Sequence, residues 1–559
     1  MSTTAPQSLP VLVVGAGPTG LVHALTLRQS GVPVRIIEKA PKPFVGSRGA
    51  GIMPRTVEIY NSLGVLPDIL QVAVPLPLNR EYKLPGGTEV KRDFSMCPRS
   101  HSTPGIPFFN LYMLGQDMAQ AILRSHLEKY GCHVEHGTAL CNFEQHPDHV
   151  EVNLAKNQDG TESQETFSAS YVVGADGARG IVRKLLGLSF DGESTGVGVI
   201  IADVKVRGLE RGHFHMWGDM ATGFFSALPR YTHDDDTFWM ILWGSGVEEK
   251  MTADPEVVKL LVRKFTDRSD FEIMDFLTLN YVEFNVRMVS EFSRGRVFVA
   301  GDAAHVHSPT GGQGMNSSIM DGFNLAWKLS LAYKGLASST LLQSYTDERK
   351  PVIQNMLKVT TETLEKTLRK DDGGWERGAK YYQLDMNYRG SPIVVDHRQV
   401  DVLNAPPANV YTISFVGTVQ AGDRAPDAPN LLDLKRTDTA PAITNLFRIF
   451  RPTKHTVVVL SNSGSAADLV VDFLRGAKYP ADFIQTVFIL PASVAVRESD
   501  TLPQTDFVLK DADGHVYEGY SVDPWKDEVT VVIVRPDGVV GGIGNGVVTV
   551  KDYFQRIFA

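Results

Sequence analysis

Three glycine-rich segments carry residue types able to hold a phosphorylated ligand. The first, Gly15-Ala16-Gly17-Pro18-Thr19-Gly20, follows the apolar run Val11-Leu12-Val13-Val14 and opens a helical stretch. In that setting the glycines serve a tight turn, close backbone approach to a pyrophosphate, and close helix–strand packing. Free N–H groups and the helix dipole then favour an anion at the helix start. Glu38 closes the next apolar strand, about 20 residues on, where a carboxylate can bind ribose hydroxyls. The second segment, Gly174-Ala175-Asp176-Gly177-Ala178-Arg179-Gly180-Ile181-Val182-Arg183, also follows an apolar strand; its residues fit a plain Gly-Asp turn equally well. The third runs from Gly301-Asp302-Ala303-Ala304-His305-Val306-His307-Ser308-Pro309 into Gly311-Gly312-Gln313-Gly314-Met315-Asn316. There a strand ends at Asp302 and a glycine-rich loop enters a long helix, which offers a carboxylate and several N–H groups to one polar ligand.

These segments need a sheet to carry them. Val11 to Val14, a helix over about 21–30, the breakers Gly31 and Pro33, and Val34 to Glu38 form one βαβ unit, the start of a doubly wound sheet. Met118, Ile122, Leu123 and Leu127 give helical spacing within 116–130. Strands are expected at 149–154 and 171–173, and antiparallel strands over 197–246. The aromatics of that last stretch, Phe214, Trp217, Phe224, Phe225, Tyr231, Phe238, Trp239 and Trp243, should be mostly core, with about a third facing a pocket. A core strand at 296–300 precedes a long helix over 317–336 and helical signal over 341–380. Residues 404–429 read as a Pro- and Asp-rich linker, and 439–559 as a separate unit of βαβ periodicity. The expected fold class is therefore α/β (α+β), a Rossmann-like domain with an inserted antiparallel-sheet domain.

Composition narrows the function. A chain of 559 residues holds roughly three or four domain-sized units. Net charge −9 argues against nucleic acid, since phosphate backbones want a basic surface. Cys97, Cys132 and Cys141 form no CxxC and no Cys/His cluster, so neither zinc nor a disulfide framework is indicated. His305 and His307 lack a third ligand at metal spacing and read as hydrogen-bonding loop residues. The polar start, Met1 to Pro10, lacks a signal peptide's basic and apolar regions, and no apolar run is long enough to span a membrane. A cytoplasmic address is the default expectation.

Taken in order, the three motifs resemble the single-component FAD-dependent aromatic hydroxylases, the group of p-hydroxybenzoate hydroxylase and phenol hydroxylase. The resemblance runs from about 12 to 351 and includes Arg48, Pro54-Arg55-Thr56, Gln116 and Tyr345-Thr346-Asp347-Glu348-Arg349. Asp423-Arg424-Ala425-Pro426-Asp427 and Arg535-Pro536-Asp537-Gly538 extend it to the phenol hydroxylase branch with its C-terminal thioredoxin-like domain. It implies an FAD-binding domain over 1–76, 110–200 and 285–400, and a substrate-binding sheet domain over 77–109 and 201–284. A linker over 401–438 and a thioredoxin-like domain over 439–559 complete the implied division. It further implies that Gly15, Gly17 and Gly20 approach the FAD pyrophosphate, Glu38 holds the adenosine ribose, and Arg48 and Gln116 contact the pyrophosphate and ribityl chain. Asp302 would bind ribityl hydroxyls, and Gly314, Met315 and Asn316 would aim amides at the flavin's pyrimidine edge. Pro309 would sit beside the reacting edge, and the segment of Asp176 would serve both FAD and NAD(P)H. The implied chemistry is hydroxylation of a phenolic or other electron-rich ring: NADH or NADPH reduces FAD, O2 adds at flavin C4a, and the hydroperoxide delivers OH.

Two positions depart from the pattern. Gly180 stands where a Ser is usual, and Ala50 stands where phenol hydroxylase has an aspartate that helps activate the phenol. Arg287, His213, His215 and Tyr231 are the candidates for that task, and the small wall at Gly49-Ala50-Gly51 could admit a ring bulkier than phenol. Ring-carboxylated substrates would add decarboxylation. No cysteine lies beyond residue 141, so a thioredoxin-like domain here would pack, or dimerise the chain, without dithiol chemistry. The Trp-x-Trp-x-Ile-Pro motif of flavin-dependent halogenases is absent. A flavin-dependent reductase and a non-catalytic flavoprotein module are the competing readings.

Overall fold

The computed structural model describes residues 9–559 apart from 48, 159, 220–221, 231–235, 245, 309–310, 369–376, 379–380, 399–409, 412–417, 436–441, 498–500 and 527. At its centre lies a six-stranded sheet in the order Ser293–Arg294, Val297–Val299, Tyr171–Gly174, Val11–Val14, Val34–Glu38, Val134–His136. Its inner strands Val297–Val299, Tyr171–Gly174 and Val11–Val14 are short Val-rich runs buried nearly throughout, as a parallel sheet covered on both faces requires, and among the described residues only the Ser293–Arg294 edge is antiparallel. Val14 pairs with both Gly174 and Ile37, and Gly174 pairs with Val299. The register therefore ends the strands that lead into all three glycine-rich segments level with one another.

Helices Pro18–Gln29 and Gly314–Tyr333 pack closely against each other beside this sheet. A Cβ on Gly322 would stand 2.8 Å from the Thr19 carbonyl oxygen, so a side chain there would push the two helices apart. His23 Nδ1–H donates to the Gly322 carbonyl at 2.9 Å across the same contact. The meander Thr138–Gln145, Val150–Gln158, Thr161–Ala169 packs Leu140, Val150, Val152 and Leu154 into a core shared with Val11 and Leu12 of the central sheet. The long helix begins at Gly314, three residues before its sequence-predicted start at 317.

An eight-stranded sheet stands beside this layer, in the order His305–Val306, Glu272–Met288, Asp191–Arg207, Thr237–Trp243, Gly223–Pro229, His213–Asp219, Leu78–Tyr82, Val90–Phe94. Strand Asp191–Arg207 runs through the division expected at residue 200. Alternation gives this sheet two faces. The outer one presents Trp217, Phe225, Phe238, Met240 and Leu242 to helix Pro255–Thr266, which answers with Val258, Val262 and Phe265. That helix is started by Asp254, whose carboxylate accepts from Glu256 N–H. The inner face presents Met216, Phe224, Trp239, Ile241 and Trp243.

The C-terminal sheet has the order Val395–Asp396, Val540–Asn545, Thr530–Val534, His455–Leu460, Ile484–Pro491, Phe507–Asp511, Leu431–Asp433, Ala442–Thr444. Helices Gly464–Gly476 and Gly546–Ile557 share a core with one of its faces and with Trp327 and Leu331 of the long helix. Of the linker expected over 401–438, residues 401–409, 412–417 and 436–438 fall outside the described residues, and within the rest Leu431–Asp433 is a strand of this sheet.

Candidate active site and cofactor cradle

The three glycines of the first segment have three different surroundings. Gly15 sits at φ +103°, and a Cβ there would meet the Ala175 carbonyl oxygen at 2.3 Å. A Cβ on Gly20 would meet the Gly15 carbonyl oxygen at 2.0 Å, so this residue sets how closely helix and strand approach. Around Gly17, by contrast, nothing lies within 4 Å of a built Cβ. Gly17 is also the N-cap of a helix whose first amides receive no side-chain cap. Open space above uncapped amides is what a pyrophosphate group needs. Glu38 closes the adjoining strand, with its carboxylate accepting from Ala16 N–H at 3.1 Å and Ala40 N–H at 3.0 Å.

In the second segment the Asp176 carboxylate is turned back on its own loop, accepting from Ile181 N–H at 2.6 Å and Val182 N–H at 3.0 Å. Burial raises its pKa against the pull of those amides. A Cβ at Gly180 would meet Asp176 Oδ1 at 2.2 Å, so the departure noted in the sequence has a steric counterpart: the Asp176 carboxylate occupies a side chain's place. Arg183 donates to the Ala303 carbonyl at 2.9 Å and ties the second segment to the third.

Asp302 lies exposed in a turn at the end of strand Val297–Val299. Below it, His305 Nε2 and Asp321 meet at 2.6 Å, and Asp321 also accepts from Gly301 N–H at 3.0 Å and Arg349 Nε at 2.7 Å. Burial opposes the charge on Asp321, but the Arg349 guanidinium and His305 outweigh it and hold its pKa low. His307 Nδ1–H donates to the Ser308 carbonyl, and its Nε2 lies 3.1 Å from where a Cβ on Gly314 would be. Burial holds that imidazole neutral, with a pKa lowered to about 4. Gly314, Met315 and Asn316 form the first turn of the long helix, again without a side-chain cap. The Asn316 side chain is fully committed: it accepts from Met53 N–H at 2.9 Å and donates to the carbonyls of Gly51 at 3.0 Å and Gly312 at 2.8 Å.

That clasp fixes one end of the segment 46–53. A buried charged cluster fixes the other. Gly46 N–H donates to Asp117 at 2.8 Å and Ser47 N–H to Asp203 at 2.7 Å, while Arg230 bridges the two carboxylates at 2.6 and 2.9 Å. Trp239 Nε1–H donates to the Ser47 carbonyl at 2.9 Å. Gln116, next to Asp117, opens its helix at this junction. Ala50, Ser47, Met113, Leu228, Arg230 and Trp239 line a narrow recess there, of about 20 Å³.

Among the catalytic candidates, Arg287 adjoins the third glycine-rich segment: it pairs with Val306 across the sheet edge, and its buried Nε has no hydrogen-bond partner among the described residues. His213 and His215 do not. Both alternate with Met216 and lie on the face of Trp217, opposite the recess. His215 is enclosed, bonded to Tyr82 Oη at 2.8 Å and to the Glu210 carbonyl at 2.7 Å, with a pKa lowered by burial to about 4. His213 pairs with Glu210 and lies 3.6 Å from Asp93. Strand alternation, whose phase the sequence alone does not give, puts both on the outer face, away from the recess. Arg48, Tyr231 and Pro309 lie outside the described residues. The sequence reading passed over Asp203, Arg230, Asp117 and Asp321. Only Asp321 left a signal, an acid at helical spacing to Asn324 and Lys328 on the long helix.

Two uncapped helix starts, an open Gly17 and a turn carrying Asp302 along one sheet edge fit a dinucleotide with a polar ring system, and FAD matches that shape. Fold and cradle together define a flavin-dependent enzyme. A family model for the FAD binding domain matches residues 8–360, and the chain belongs to that family. It is 32% identical to a flavin-dependent monooxygenase of Mycobacteroides abscessus over 98% of this chain and 100% of that one. It is 29% identical to pentachlorophenol 4-monooxygenase of Sphingobium chlorophenolicum, over 95% of this chain and 93% of the relative. Aklavinone-11 hydroxylase, solved with FAD and aklavinone, shares the fold at a TM-score of 0.77 and 24% identity, with 99% of both chains covered. A flavin-dependent monooxygenase solved with FAD and substrate does so at 0.77 and 19%, again over 99% of each.

Proposed function

We propose that this enzyme takes electrons from NADH or NADPH and one oxygen atom from O2 to hydroxylate a phenolic or similarly electron-rich aromatic ring. The observation that carries the reading is the segment 46–53. One end is clasped by Asn316 at the cofactor cradle and the other is bonded to Trp239 and Asp203 of the antiparallel sheet. A ligand beside Ala50 therefore touches both the flavin site and the sheet's inner face. Bound FAD supplies the electron relay and the activation of oxygen. The chain supplies position and electrostatics: amides at Gly314 to Asn316 favour negative charge at the ring edge. Met216, Phe224, Ile241 and Trp243 supply an apolar wall that keeps water away from the reacting atoms.

The small side chains at Gly49-Ala50-Gly51, with nothing within 4 Å of a Cβ built on either glycine, favour a substrate bulkier than phenol. Relatives named for aklavinone and for anhydrotetracycline support a fused-ring phenol. Without a carboxylate at position 50, we read Arg287, paired with Val306 of the third glycine-rich segment, as a cation that favours an ionised substrate oxygen. We read the C-terminal unit as thioredoxin-like. In support, His455–Leu460, helix Gly464–Gly476 and Ile484–Pro491 form a parallel βαβ unit, joined by the antiparallel pair Thr530–Val534 and Val540–Asn545 and helix Gly546–Ile557. The test is oxidation of NADH and of NADPH by the flavin-loaded protein against simple and fused-ring phenols and hydroxybenzoates, with product mass. Substrate-stimulated oxidation with a gain of one oxygen is the expected result; a further loss of CO2 would mark a ring-carboxylated substrate. Bound flavin with no stimulation and no oxygenated product would overturn the reading.

A further inference from the structure

The sequence motifs left without chemistry, at Arg55, Glu348-Arg349, Arg424 and Arg535-Pro536-Asp537, meet in one buried network. Glu348 accepts both arms of Arg535 at 2.7 and 2.9 Å, Lys328 Nζ at 2.7 Å, Asn324 at 2.8 Å and Ser391 at 2.7 Å. Arg535 also donates to Asp537 at 2.6 and 3.0 Å, and the Asp537 carbonyl accepts from Arg55 at 2.7 Å. Arg55 pairs with Glu58, whose second oxygen accepts from Arg424 at 3.0 Å. The side chains of Arg535, Glu348, Lys328, Arg349 and Asp321 are all fully enclosed, at 0% exposure.

The next residue along the helix, Arg349, points into the cofactor cradle. It donates to Asp321 at 2.7 Å, and Asp321 in turn holds His305 and the Gly301 amide. Tyr388 joins the two halves: its hydroxyl accepts from Arg349 at 3.0 Å, and its ring lies 5.5 Å from the Arg535 guanidinium. The C-terminal unit thus reaches the turn that carries Asp302 through two buried charge clusters bridged by Tyr388. Buried ion pairs are costly to break and weak as mere glue, because removing one partner strands the other charge in a dry interior.

We propose that the C-terminal unit is a working part of the flavin site, with Arg535 and Glu348 as positioning residues that fix Arg349 and Asp321 and so hold the Gly301–His305 turn in its FAD-binding shape. This rests on the cradle binding FAD and is read without any aromatic substrate, so it is independent of which substrate the enzyme takes. Coupling of this kind is reciprocal: if the C-terminal unit favours FAD binding, FAD must stabilise the C-terminal unit by the same factor.

The test uses the full-length protein. FAD affinity is measured by fluorescence titration, well below the unfolding temperature, for the wild type, Arg535→Lys, and Arg535→Met combined with Glu348→Gln. The expected result is an FAD dissociation constant raised about tenfold or more in the double variant, with partial rescue by Lys, which keeps the charge but not the fork. Should the variants fail to fold, hydrogen exchange on the wild type decides. FAD is expected to slow exchange in Thr530–Val534, which lies outside the cradle. A lowered unfolding temperature with unchanged FAD affinity, or exchange at Thr530–Val534 indifferent to FAD, would overturn the proposal.

Discussion

The edge of the parallel sheet and the inner face of the antiparallel sheet meet across the segment 46–53, yet they are specified in different ways. At the parallel edge, single atoms decide: Gly15 and Gly20 have carbonyl oxygens where a Cβ would stand, and Asp321 holds three partners at once. On the inner face, Met216, Phe224, Ile241 and Trp243 form a wall whose shape matters more than any one residue. A cofactor of fixed geometry can be met by backbone positions, whereas a substrate is selected by the volume that side chains leave. Changes at the first region should cost cofactor and fold; changes at the second should redirect the substrate.

The largest expected effect is from Asp321→Asn. It leaves Arg349 buried without a countercharge, for a loss of about 3–5 kcal/mol read in thermal or urea unfolding. Gly20→Ala follows. Its Cβ would stand 2.0 Å from the Gly15 carbonyl, and overpacking of that kind costs about 1–3 kcal/mol. The protein should purify with little flavin absorbance, while Ser226→Ala on the inner face should purify yellow.

Acid should strain both regions through their buried histidines. His23 in the Rossmann-like helix and His215 under the antiparallel sheet both have pKa values lowered by burial from 6.5 to about 4. The folded state therefore favours the neutral ring. That contribution is complete above the ordinary value of 6.5 and is lost as pH falls from there toward 4, at about 1.4 kcal/mol per pH unit for each group. Unfolding temperature should stay level above neutrality and fall through that window, and His215→Phe should flatten part of the fall without changing turnover.

The smallest and most discriminating change compares two tryptophans. Trp217→Phe, on the outer face, loses its hydrogen bond to the Gly87 carbonyl, worth about 1 kcal/mol, and should leave substrate KM alone. Trp239→Phe, lining the recess beside Ala50, should raise KM severalfold with a similar stability cost. A rise in KM for Trp217→Phe with none for Trp239→Phe would mean that the two faces have been assigned the wrong way round.

The cradle was legible in the sequence because its determinants are local: a Val-rich strand, three glycines at fixed spacing and an acid ending the next strand lie within residues 11–38. The inner face of the antiparallel sheet was less so. His213 and His215 looked available as polar residues in an aromatic stretch, but a strand's side chains alternate, and its phase depends on neighbours at Ala227 and Arg80 that the sequence does not line up. Asp203, Arg230 and Asp117 were invisible for the same reason: Arg230 lies 27 residues from Asp203 and 113 from Asp117, and no local pattern marks either pairing. The motifs around Glu348 and Arg535 were visible as a resemblance but not as a contact, since 187 residues separate them.

Transfer of one atom of O2 to an aromatic ring is tested most directly by running the reaction under 18O2 in ordinary water and weighing the product. One 18O atom per product molecule, with none gained when the label is in the water instead, is the result expected. Product labelled from water, or a changed substrate carrying no added oxygen, would contradict it.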